Sequence, residues 1–126
     1  EDVALELRTE ISDRIFIMAE PKAIPNALVA ILENALSVSK AGDTVLLSAH
    51  VEAKKLIIEI KDEGPGIAST IMDFIFEPFA TTSANGTGLG LSIAKNTIDA
   101  HRGTISVENT HHGAIFTITL PITQQQ

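Results

Sequence analysis

Phe76-Glu-Pro-Phe-Ala-Thr-Thr-Ser-Ala-Asn-Gly-Thr-Gly-Leu-Gly-Leu-Ser-Ile-Ala-Lys95 is the stretch on which the reading of this chain turns. Gly86, Gly88 and Gly90 alternate, and an apolar helical pattern (Leu91, Ala94, Ile98) follows at once. A glycine-rich loop thus runs into a helix start. Its backbone can approach an anion closely, and the helix adds N–H groups and the positive end of its dipole. The pattern is that of a phosphate-binding loop. It is not a Walker loop, because no Gly-Lys-Ser/Thr follows the glycines. It is not a dinucleotide fingerprint, because Glu77-Pro78 precedes it where that motif needs a strand. Taken alone, the glycines also fit an ordinary surface loop capped by a helix.

Composition narrows the choice. The chain has 126 residues, 44% of them hydrophobic, with five Phe, no Tyr and no Trp, so an aliphatic core is expected. A net charge of −7 argues against a nucleic-acid partner, which needs clustered Lys and Arg, but leaves room for a nucleotide held by backbone amides and a metal. There is no Cys, hence no disulfide or thiol chemistry. No apolar run approaches the ~20 residues that span a bilayer, so no membrane contact is expected of this domain. Residues 1–126 are expected to form one domain cut from a longer protein, with 123–126 as a tail.

Outward from the glycines, the periodicities sort the chain. Val3–Leu7 alternates as a strand, and Arg14–Ala19 reads as a second strand paired with it across 9–13. From Pro21 to Lys40, residues Ile24, Leu28, Ile31, Leu32, Ala35 and Leu36 recur at helical spacing, with the regular helix expected to begin after Pro25 and to stop at Ala41-Gly42. Asn34 lies just off the apolar stripe and ordinarily would be a solvated polar position. Asp43–Glu52 and Lys55–Lys61 alternate as a hairpin that runs into Asp62-Glu-Gly-Pro-Gly-Ile67. That segment is either a plain turn or a carboxylate aimed into a pocket beside glycines that admit a flat ring. A short helix over 68–76, a helix over 90–102 stopped by Gly103, and a closing hairpin (104–109 with 113–120) complete the order. Paired strands separated by helices predict an α/β two-layer sandwich, with a mixed, mostly antiparallel sheet and three helices on one face.

Asn34, Asp62-x-Gly64-x-Gly66, Phe76-Glu-Pro-Phe79 and Gly86-Thr-Gly-Leu-Gly-Leu91 stand in one order. From Arg14 to Pro121 the chain resembles the ATP-binding catalytic domain of a sensor histidine kinase. That domain has the Bergerat-type fold shared with DNA gyrase, the ninety-kilodalton heat-shock chaperone and MutL. The four stretches match its N box, first glycine box, F box and second glycine box. The resemblance implies ATP and Mg as cofactors. Asp62 would accept a hydrogen bond from the adenine amino group, with Gly64, Gly66 and Ile67 around the base. Asn34 would be the metal ligand, its amide oxygen suiting a hard cation. Residues 77–88 would form a lid, with Phe76 and Phe79 anchoring it and Thr81 and Thr82 within it. Gly86, Thr87, Gly88, Leu89, Gly90 and Leu91 would wrap the phosphates.

The departures from the family pattern are specific. Ala30 stands where the family often has Asn and the hydrolysing relatives have a catalytic Glu, which argues against water-directed ATPase chemistry. Ser37 and Ser83 stand where Lys is often found, so two phosphate partners are missing and weak nucleotide binding is expected. Lys95 could substitute, although a solvated helix face is its ordinary role. His50, His101, His111 and His112 lack the context of a phosphate acceptor and read as surface residues. The resemblance therefore implies that the acceptor His lies on a separate dimerisation domain and that a response regulator lies downstream. It implies a monomeric, cytoplasmic domain that does not phosphorylate itself, whether or not the parent protein is membrane-anchored; its catalytic acid or base stays unknown. Two other readings remain: a degenerate nucleotide-binding regulatory module, and a serine kinase of the anti-sigma type, which shares the four boxes.

Overall fold

The structure, a computed structural model, describes residues 3–9, 19, 22–78 and 90–122. Five strands form one sheet: β1 (Ala4–Thr9), β2 (Thr44–Glu52), β3 (Lys55–Lys61), β4 (Thr104–Thr110) and β5 (Gly113–Pro121), in the order β1-β2-β3-β5-β4. Three helices join them: α1 (Ala23–Ser37), α2 (Ser69–Met72) and α3 (Gly90–Ala100). The sheet is mixed and mostly antiparallel, as expected, with β1 alone running parallel to its neighbour. The expected hairpin partner of β1 at 14–19 lies outside the described residues except for Ala19, which is in no strand.

Register explains how the core closes. Leu47, Ile60, Phe116 and Val107 face one another across four strands, and Ala49, Ile58, Ile118 and Ile105 form the next row. Above them lie Ile24, Ala27, Ile31 and Ala35 of α1 and Leu91, Ala94 and Ile98 of α3. Burying each large aliphatic side chain contributes roughly 2 kcal/mol, so this single layer of side chains carries the domain. Leu5 and Leu7, in register with Val45 and Leu47, are 50% and 67% exposed at the β1 edge.

Several helix boundaries differ from the expectation: α2 covers only Ser69–Met72 of the expected 68–76, α3 ends at Ala100 rather than 102, and both ends of α1 shift. α1 starts before Pro25, which is its third residue. First-turn N–H groups have no partner within a helix, so a proline there sacrifices nothing. α1 also stops at Ser37, earlier than Lys40. The hydroxyls of Ser37 and Ser39 donate to the carbonyls of Asn34 and Ala35 (both 2.7 Å), supplying side-chain donors where the helix runs out of backbone ones. At the end of α3 the left-handed residue is Arg102 (φ 64°), not Gly103. Gly103 is needed for closeness instead: a Cβ there would lie 2.5 Å from the Thr119 carbonyl oxygen.

Candidate functional site

Asp62 leaves the end of β3 and is 3% exposed, the sole buried acid among the described residues. Its backbone N–H donates to the Ala114 carbonyl at 3.0 Å, and its Oδ1 accepts the Gly64 N–H at 2.9 Å. Burial pushes the Asp62 carboxyl above its ordinary value of 3.8; the Gly64 and Ala114 backbone contacts pull it back, and the like charge of Asp43 adds to the rise. The native state therefore holds this proton more readily than the unfolded chain does. The charge of Asp62 costs stability at pH above the raised value, and that cost is relieved as pH falls through it towards 3.8. A carbon-13 titration of the Asp62 carboxyl is expected to show a midpoint above 3.8; a midpoint at or below 3.8 contradicts the burial argument.

The turn after Asp62 lies against α1. A Cβ on Gly64 would fall 2.9 Å from the Val38 side chain, just past the end of α1. Two turns back, at the middle of that helix, a Cβ on Gly90, the first residue of α3, would lie 3.7 Å from the Ala30 Cβ. Ala30, Asn34 and Val38 are spaced by four residues, so they share one stripe. Asn34, half-buried, sits about 6 Å along the axis from each of the other two. The helix thus ranks three features in a line: the helix start of α3, the Asn34 carboxamide, and the acid–glycine turn. Gly66 takes φ +82°, which that turn needs and which a side chain would resist.

Leu91 is in the core, so any contact it makes with an anion is through its N–H. Phe76 lies edge-on to the core ring of Phe116 (centroids 6.1 Å apart, planes at 78°). Phe79, Thr81, Thr82, Ser83, Gly86, Thr87, Gly88 and Leu89 lie outside the described residues. Lys95 is engaged on its own helix, its Nζ 2.8 and 3.0 Å from the two carboxylate oxygens of Asp99. His111 and His112 are exposed, but His50 and His101 are half-buried, and a His101 ring nitrogen lies 2.7 Å from the Thr97 carbonyl.

Three contributors escaped the sequence reading. Gly113 and Ala114 at the start of β5 pack on Asp62, and Asn109 of β4 holds Ile67. Their partners are far away in the chain, and no local period marks them.

The residues fit a nucleotide: a buried acceptor beside a turn with two glycines suits a base bearing an amino group, and a helix start suits phosphate. No group of three or more His, Cys, Asp or Glu that could hold a metal occurs among the described residues.

Comparison with known proteins shows the family. Residues 19–124 match the family described as histidine kinase-, DNA gyrase B-, and HSP90-like ATPase. The sensor histidine kinase ZraS of Salmonella typhi is 36% identical over 112 residues, which cover 87% of this chain but 24% of that protein. The chain thus spans about a quarter of that relative. The catalytic domain of histidine kinase ThkA, solved nucleotide-free, superposes with a TM-score of 0.84 at 28% identity, covering 94% of this chain and 78% of that one. Full-length ShkA, solved in complex with AMPPNP, also superposes with a TM-score of 0.84, at 27% identity over 98% of this chain and 26% of that one. The chain belongs to the histidine kinase-, DNA gyrase B- and HSP90-like ATPase family, in which it corresponds to the ATP-binding catalytic domain of sensor histidine kinases.

Proposed function

We propose that this chain binds ATP with magnesium and presents the γ-phosphoryl group to a histidine on a separate dimerisation domain, from which a response regulator receives it. The observation that carries the reading is the line along α1: Gly90 against Ala30, Asn34 in the middle, and Gly64 of the acid–glycine turn against Val38. A nucleotide laid along this line would span it from base to phosphates. Its phosphates would meet the start of α3 and its base Asp62, and a cation carried on the phosphates would be held by Asn34.

Asp62 accepts a hydrogen bond from the adenine amino group, and Gly64, Gly66 and Ile67 shape the floor beneath the ring. The amides of Gly86, Thr87, Gly88, Leu89, Gly90 and Leu91 surround the phosphates, with Phe79, Thr81 and Thr82 in the lid; these lid roles come from the resemblance. Bound magnesium supplies neutralisation of the phosphate charge, and the Asn34 amide oxygen is its protein ligand. The domain contributes positioning and charge complementarity, the main terms in phosphoryl transfer. No acid or base for the transfer is assigned to this chain, and its four His lie outside an acceptor context. By itself it is expected to bind ATP without labelling itself.

Calorimetric titration with ATP and ADP, with and without magnesium, tests the site. Saturable, magnesium-dependent binding supports it, and no heat up to millimolar nucleotide refutes it. Replacing Asn34 by Ala is expected to bring the affinities with and without magnesium within about twofold of each other; a variant whose binding still needs magnesium would remove Asn34 from the ligand set.

One observation favours a second reading, a nucleotide-binding regulatory module that transfers nothing. Lys95 is engaged by Asp99, and the Ser37 hydroxyl by the Asn34 carbonyl, so neither is directed to phosphate. Incubation with the acceptor domain and labelled ATP separates the two: label on the acceptor histidine supports the kinase, and binding without label supports the module.

A further inference from the structure

The turn from Asp62 to Ile67 is held at both ends by one cross-strand pair. Asn109 and Ala114 face each other in the β4–β5 ladder. Ala114 accepts the Asp62 N–H at 3.0 Å, fixing the acid end. Asn109 fixes the other end with two bonds to a residue 42 positions earlier. Its Oδ1 accepts the Ile67 N–H at 2.8 Å, and its Nδ2 donates to the Ile67 carbonyl at 2.9 Å. The carboxamide does here what a neighbouring strand would do, matching one backbone donor and one backbone acceptor. Its orientation is dictated by its partners, because an N–H can only donate and a carbonyl can only accept. Gly66 completes the clamp: at φ +82°, a Cβ there would lie 3.0 Å from the same Oδ1.

We infer that Asn109 is a positioning residue for the base end of the nucleotide site, an inference that rests on the nucleotide reading above. It touches no reacting atom. It holds the floor of the base pocket at a fixed distance and angle from the Asp62 carboxylate. Without it the turn keeps its Asp62 anchor but loses the Ile67 one, and the base must then order the turn as it binds. Ordering a loop at the moment of binding lowers affinity without altering the contacts finally made. The penalty therefore falls on the base and leaves the preference for phosphates as it was.

The test uses the full chain, with Asn109→Ala and Asn109→Asp beside the wild type. The aspartate accepts from the Ile67 N–H but at neutral pH has no proton for the Ile67 carbonyl. ATP, ADP and adenosine are titrated by calorimetry in magnesium, and the ligand-free melting temperature and Ile67 amide exchange are recorded. Loss of two such bonds predicts about a tenfold weakening for Asn109→Ala. It should be the same for all three ligands, so that the ratio of ATP to adenosine affinity is unchanged. Ile67 exchange should be faster and the melting temperature little changed. Asn109→Asp should weaken all three ligands likewise. Unaltered adenosine affinity in both variants, or a loss seen with ATP alone, overturns the role of Asn109 while the nucleotide site stands. A wild type that binds none of the three ligands overturns the nucleotide reading and this assignment with it. Should Asn109→Ala not fold, Asn109→Ser, whose hydroxyl reaches only one of the two backbone groups, carries the same comparison.

Discussion

Asp62→Asn is expected to weaken ATP binding by about a hundredfold while leaving the fold at least as stable as before. The substitution is nearly isosteric, and the Asn carbonyl oxygen can still accept the Gly64 N–H that Asp62 accepts at 2.9 Å. The second oxygen becomes an NH2 group. Where the carboxylate receives the adenine amino group, the variant opposes one donor with another, and neither can turn to water in a site 3% exposed. A buried polar group left unpaired costs about 1–3 kcal/mol, more where a charge took part, which yields the hundredfold. Stability moves the other way. The wild-type carboxylate is held in surroundings that disfavour its charge, and the amide carries none. Calorimetry with ATP and a denaturant melt at neutral pH check the two halves separately. Unchanged affinity would remove Asp62 from base recognition. A variant that loses binding because it unfolds would make Asp62 a structural acid.

Gly113→Ala is expected to damage both the fold and the site. A methyl group at Gly113 would overlap the Asp62 carbonyl oxygen, and it would lie 2.9 Å from the carbonyl carbon and 3.0 Å from Oδ1. These are backbone and buried atoms at the junction of β3 and β5, where Asp62 donates to Ala114, so no side chain can swing aside. The strands must separate, or Asp62 must move. Overpacking of this kind costs about 3 kcal/mol, with a fall in melting temperature on the order of 10 °C. Because the displaced atom belongs to Asp62, the surviving folded fraction should also bind ATP more weakly. A thermal melt and a titration at low temperature measure the two effects. A stable variant with weak binding would assign Gly113 to the site alone. A variant as stable and as tight as the wild type would show that β5 can shift without consequence.

Much of this was legible along the chain. Alternation in 43–52, 55–61, 104–109 and 113–120 located two hairpins that the structure reproduces within a residue or so. Helical spacing located α1 and α3, and the order of the four boxes indicated the family. These signals survive because a strand or helix repeats its own geometry every two or 3.6 residues, so burial on one face writes a local period.

What stayed hidden depends on residues distant in sequence. Nothing in Val3–Leu7 says that β1 pairs in parallel with β2, since alternation specifies a strand's faces but not its neighbour. Pro25 looked like a barrier until the helix start fell before it, and the stop read at Gly103 proved to combine a left-handed Arg102 with a glycine packed close to the Thr119 carbonyl. The Asp62–Gly66 segment, on its own, was equally a surface turn. The sequence by itself determined the elements, the family and the candidate residues. Tertiary structure alone decided that Asp62 is buried, that Ala30, Asn34 and Val38 line up the two ends of the site, and that Asn109 and Ala114 grip the turn between them. Burial and pairing across tens of residues are set by how elements stack, and a chain read one neighbour at a time carries no period for that.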